Sequence, residues 1–158
     1  MSPNFRLVGL PYEPFADLFD CSDAELAERD IVRRRAGDEA PGLPCRVSLQ
    51  EAQPGDELLL LPFAHQRGSS PYRASGPIFV KRNAVQATLA PGEVPPYVTN
   101  RLISVRAYDA LHLIVDAAVC EGPQTAGEIE RLFASPEVSY IHLHNAKRGC
   151  FACRVERA

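Results

Sequence analysis

The segment YIHLHNAKRGCFACRV, residues 140–155, gathers His142, His144, Asn145, Cys150 and Cys153. Imidazole and thiol groups at such spacing suit two chemistries: a tetrahedral zinc site, or a thiolate nucleophile beside a histidine base. Strand alternation separates the two. Tyr140, His142 and His144 share one face of an extended segment, and Ile141 and Leu143 share the other. If the apolar faces align toward a single core, Leu143 pairs with Phe151 and Ile141 with Cys153. Asn145 to Gly149 then form the loop, and His144 lies opposite Cys150. Cys153 is buried in that register, and a solvent-side face carries His142, His144, Cys150 and Arg154. A one-residue slip would turn Phe151 and Val155 outward and lose roughly 1.5–3 kcal/mol for each. The register therefore opposes a metal site built on all four ligands and favours Cys150 as nucleophile with His144 or His142 as base.

Other residues suit anion recognition. The loop HQRGSSPYRASG, residues 65–76, offers Ser70, Tyr72, Arg73 and Ser75 with flexible backbone, a set fitted to a carboxylate or phosphate. Arg46 opens an extended segment after a turn and is a second cation for such a ligand, with Asn145 at the hairpin loop. Arg106 shares a strand face with Leu102 and Ser104, so it needs an acidic partner, such as Asp109 or Asp116, or a ligand anion if that face is covered. Phosphate-loop, dinucleotide, nucleophile-elbow and Glu-x-x-His patterns do not occur, and no particular cofactor is indicated.

These residues need a scaffold. The chain has 158 residues, 46% hydrophobic and 23% charged, which is enough for one domain with its own core, taken as residues 1–158. A short strand spans about 4–9. Ser22 and Glu25 have capping-box spacing for a helix over about 22–30. A loop rich in Gly, Pro and acids separates IVRRR from CRVSL, and LLLLPFAH reads as a strand buried on both faces. LAPGEVPPYVTNR, residues 89–101, reads as an extended surface loop. Two β-rich runs meeting at Tyr108 to Ala110 predict a hairpin with strands of about 101–107 and 111–120. Thr125 and Glu128 form a second capping-box pattern before Ile129, Leu132 and Phe133. The expected class is α+β, with a mostly antiparallel or mixed sheet of about six to eight strands and two short helices.

The apolar runs are too short to span a bilayer, and the start MSPNFRLVGLPYEPF lacks an export signal, so the expected location is the cytoplasm. Five scattered cysteines fit reduced thiols. A net charge of -3 gives no general attraction to nucleic acid, despite Arg33 to Arg35. The leading expectation is therefore a small anionic ligand, held between the C-terminal hairpin and the 69–76 loop, with thiol catalysis as an extension. Two alternatives stand beside it. One is a non-catalytic protein-interaction module using Arg33 to Arg35 or the Pro-rich loop. The other is a mononuclear metal site of His142, His144 and a distant carboxylate such as Asp116.

Four blocks in order, GLPCRVSL, GDELLLLPFAH, SPYRASGPIFV and HLHNAKRGCF, resemble a bacterial family catalogued as domain of unknown function 1203. The resemblance implies a small single-domain bacterial protein in which the third and fourth blocks recur. Its pattern includes Cys150 but not Cys153, and it supplies no reaction.

Overall fold

The computed structural model describes residues 3–37 and 42–158. Part of the Gly, Pro and acid-rich loop, residues 38–41, lies outside them. The α+β expectation holds, with the strands divided between two five-stranded sheets. The first contains β1 (Phe5–Val8), β7 (Leu102–Tyr108), β8 (Ile114–Glu121), β9 (Tyr140–Asn145) and β10 (Phe151–Arg157), in the order β1-β10-β9-β7-β8. All its pairings are antiparallel. The second contains β2 (Val32–Arg35), β3 (Pro44–Cys45), β4 (Gln50–Glu51), β5 (Glu57–Gln66) and β6 (Ala74–Lys81), in the order β2-β5-β6-β3-β4. It is mixed, because β3 runs parallel to β6.

Alternation explains how the first sheet packs. Ile103, Val105 and Ala107 of β7, Ile141 and Leu143 of β9, and Cys153 and Val155 of β10 join one core with Ile129, Leu132 and Phe133. Those last three residues belong to α4 (Thr125–Phe133), which supplies an apolar stripe at helical spacing. A second core joins Leu59, Leu61, Ile78 and Val80 of the second sheet to Phe15, Phe19 and Leu26, and it also takes in Phe151 of β10. Both faces of β10 are thus covered.

Several local expectations are met and others corrected. Ser22 and Glu25 make the reciprocal capping box at the start of α2 (Asp23–Ala27). Thr125 does not cap α4. It is fully buried inside the helix, its hydroxyl 3.8 Å from the Cys120 thiol, and the reciprocal box lies upstream between Glu121 and Gln124. The Pro-rich loop is not wholly extended over the surface. Pro95 and Pro96 start the short helix α3 (Pro96–Thr99), which puts Tyr97 and Val98 into the core. Two further helical turns, α1 (Glu13–Ala16) and a 3₁₀ turn (Asp17–Asp20), carry Phe15 and Phe19 inward. No helix among the described residues is long and apolar enough to cross a membrane.

Candidate functional site

The C-terminal hairpin departs from the simplest register. Ile141 pairs with Val155, His142 with Arg154 and Leu143 with Cys153, but His144 pairs with Phe151, with a bulge between Phe151 and Cys153. The bulge admits one extra residue, so Ala152 and Cys153 are both buried while Phe151 moves to the histidine face. The pairings of Leu143 with Phe151 and of Ile141 with Cys153 are therefore corrected. Their premise was that only one face of the hairpin is covered. The end of β5 covers the other, with Phe63 6.2 Å from Phe151 and His65 stacked on Phe151 at 5.5 Å between ring centroids. Burial of Cys153 on the apolar face agrees with the sequence reading, and burial pushes its thiol up to about 12.

The same bulge separates the expected thiol–imidazole pair. Phe151 faces with His144, so alternation turns Cys150 to the opposite side. The Cys150 thiol donates to the carbonyl of Arg148 at 3.9 Å, and His144 Nδ1 bonds the carbonyl of Gly149 at 2.9 Å. Asn145 goes with Cys150: its backbone N–H donates to the Cys150 carbonyl, and β7 pairs it with Ile103 on the far face.

What converges instead is a set of histidines between the sheets. His142 and His144 are buried, not on a solvent face. His65, at the end of the apolar run of β5, joins them with ring centroids 6.3 Å from His142 and 5.0 Å from His144. One ring nitrogen of each is buried without a hydrogen-bond partner among the described residues: His65 Nδ1, His142 Nδ1 and His144 Nε2. Desolvation holds all three below the ordinary histidine range. It lowers His142 to about 3, helped by His144 and Arg154, and His144 to about 4, with Arg106 adding to the effect. All three imidazoles are neutral at physiological pH.

Register also places charges on this face. Arg106 of β7 and Arg154 of β10 both pair with His142, giving a cross-strand row of guanidinium, imidazole and guanidinium. Arg154 bonds Glu156 at 3.1 Å and lies 4.2 Å above the Tyr140 ring. Arg106 has only Ser104 Oγ, at 3.2 Å, and no carboxylate within ion-pair distance among the described residues. Beside it the floor opens to solvent, where β8 presents exposed Ala117 opposite Arg106 and exposed Val119 opposite Ser104.

The β5–β6 loop borders this face at its Tyr108 end. β5 and β6 extend further than the sequence suggests, so the loop shortens to residues 67–73 and Ser75 lies in β6. Ser70 Oγ donates to the His112 carbonyl at 2.8 Å and accepts from the Tyr72 N–H, and Tyr72 meets Tyr108 edge-on at 6.3 Å. Arg73 follows it, exposed. Gln66 Nε2 donates to the Tyr140 hydroxyl at 3.0 Å, and the same hydroxyl bonds His112 Nδ1 at 2.6 Å. The His112 ring lies so close to Gly68 that a Cβ there would be 2.3 Å from its Cγ. Gly68→Ala should therefore lower stability by about 1–3 kcal/mol through overpacking, read as a lower urea midpoint. An unchanged midpoint would mean that the loop does not rest on His112.

The remaining residues named from sequence serve the scaffold. Arg46 is buried and donates to the carbonyls of Phe151 at 2.7 Å and Pro44 at 2.6 Å, tying the second sheet to the bulge. Asp116 is cross-strand to Ala107, on the α4 side, and pairs with Arg131, so the metal set of His142, His144 and Asp116 does not assemble. No group of three or more His, Cys, Asp or Glu among the described residues is arranged to hold a metal ion. The basic run is largely used within the fold: Arg33 binds Asp23, Glu57 and two backbone carbonyls, and Arg35 binds the Gly55 carbonyl. Two shallow concavities of about 380 and 340 Å³ flank Leu61 and Pro62, and neither is lined by a histidine.

A family model described as "Protein of unknown function (DUF1203)" matches residues 42–157. The chain belongs to the DUF1203 family. The match spans β3 to β10, so the histidine face, the β5–β6 loop and Arg106 all fall inside the DUF1203 region. No curated protein and no solved structure matches the chain. Sequence reasoning missed His65, whose one signal is a polar ring closing an otherwise apolar strand, and Ser104, which it read only as a neighbour of Arg106.

Proposed function

We propose that this DUF1203 protein binds a small carboxylate or comparable oxyanion on the open half of the histidine face. Residues 1–158 would act as one unit, and the 67–73 loop would form one wall. The observation that carries this reading is Arg106. A half-buried guanidinium with no carboxylate partner among the described residues, beside three neutral imidazoles and a second arginine, favours an anion. The same surroundings work against a divalent cation, because each guanidinium about 6 Å from it would oppose it by several kcal/mol at an effective dielectric near 20. Arg106 supplies the bidentate contact in this reading, Arg73 a second cation at the loop, and Tyr72 and Ser70 the rim. Arg46 and Cys150 have no part in it, since the first is bound to backbone carbonyls and the second is turned away.

Malonate and phosphate, titrated by calorimetry at low ionic strength, test the reading. At least one should bind, and Arg106→Gln should weaken it tenfold or more, about 1.4 kcal/mol. Equal binding by wild type and Arg106→Gln, or none by wild type, would reject it. Binding of zinc with no anion bound would favour the metal reading.

A further inference from the structure

We propose that Ser104 and His144 form a nucleophile–base pair for acyl transfer from a small ester or thioester whose acid half carries a carboxylate. The carboxylate contact rests on the anion reading of Arg106, while the pair itself rests on separate observations. Ser104 of β7 and His144 of β9 are direct cross-strand partners, a relation that brings Cβ atoms to about 4.5–5.5 Å. The His144 Nδ1 faces the Gly149 carbonyl at 2.9 Å. A carbonyl can only accept, so Nδ1 carries the proton and Nε2 presents a bare lone pair. That Nε2 is buried and has no hydrogen-bond partner among the described residues. Ser104 Oγ accepts from Arg106 Nε at 3.2 Å, and its own proton has no acceptor among the described residues. An unmatched donor and an unmatched acceptor thus occupy opposing cross-strand positions.

The arrangement contains the parts acyl transfer needs: a hydroxyl nucleophile, a base of fixed tautomer and a group orienting that base, here the Gly149 carbonyl. Ser104 is half-buried, so a substrate on the open β7–β8 floor can reach it. In the first step Ser104 Oγ bonds to the acyl carbon, its proton passes to His144 Nε2, and the alcohol or thiol leaves with that proton. Water then attacks the acyl-serine by the reverse route, releasing the acid and restoring Ser104. The Arg106 guanidinium beside Ser104 supplies N–H groups both for the oxyanion that forms on the former carbonyl oxygen and for the substrate carboxylate.

A fluorophosphonate probe tests the pair without needing the carboxylate contact. The Ser104 O–P bond forms as P–F breaks, and the proton leaves with fluoride. Peptide mass mapping of the full chain should find one adduct, on Ser104, absent from Ser104→Ala and formed at least tenfold more slowly by His144→Gln. If His144→Gln fails to fold, the wild-type rate decides. A neutral base gives a rate nearly constant from pH 6 to 8, whereas an unassisted serine gains about tenfold per pH unit. No Ser104 adduct, labelling indifferent to His144→Gln, or an unassisted pH profile would overturn the pair. Malonate binding without Ser104 labelling would leave the anion reading standing alone, and labelling without malonate binding would remove that reading and keep the pair.

Discussion

Stability should fall steeply when the pH drops from 7 to below 5. His142 and His144 titrate at about 3 and about 4 in the folded chain, against about 6.5 when unfolded. Between those values the unfolded state binds protons that the folded state refuses, so stability rises with pH through the window and is lost as pH falls below about 6.5. At about 1.36 kcal/mol per unit the two sites represent on the order of 3–5 kcal/mol each, against a typical total of roughly 5–15 kcal/mol. The sheets should separate over the histidine face before pH 4. Urea midpoints measured from pH 7.5 to 4.5 check this: the wild-type midpoint should decline below pH 6.5, and His142→Gln should flatten the decline. A midpoint constant down to pH 5 would mean that the imidazoles are already protonated or hydrated in the folded chain.

Arg46→Met should be the most damaging single change outside the apolar cores. Arg46 is 2% exposed, and both of its side-chain hydrogen bonds go to backbone carbonyls, Phe151 O and Pro44 O. Methionine keeps much of the volume but leaves both carbonyls without a donor, a loss of roughly 3–5 kcal/mol for charge-assisted bonds in a buried setting. For a chain of this size that is a drop in melting temperature of about 6–20 °C. Arg154→Met is the control. Its partner Glu156 is about half exposed, so the loss should stay below about 1 kcal/mol. Equal effects of the two substitutions would show that the Arg46 bonds are not what fastens the second sheet to β10.

Much of the scaffold is legible because it is local. The capping box of Ser22 and Glu25, the β7–β8 hairpin and the buried side of β9 follow from spacing within a few residues. The alternation that set Arg106 apart from Ile103 and Val105 was equally readable. The site was less so, because it depends on what lies across from each strand. Period-two reasoning assigns Phe151 to the apolar face when one face is dry and the other wet, and here β5 dries both. A bulge then costs little, since Phe151 packs under Phe63 and His65 while Ala152 and Cys153 pack on the other side. Nothing within residues 140–155 announces that. His65 and Ser104 joined the site only through sheet order and register, which no single stretch of sequence encodes.

Neutral imidazoles and Arg106, which has no carboxylate partner among the described residues, are proposed to share one anion-receptive face. The most direct test is a nitrogen-15 spectrum of the histidine rings recorded during a malonate titration at pH 7. The rings should begin neutral, with His144 protonated on Nδ1, and the His142 and His65 signals should shift in wild type but not in Arg106→Gln. Doubly protonated rings at the outset, or shifts that survive loss of the guanidinium, would contradict the proposal.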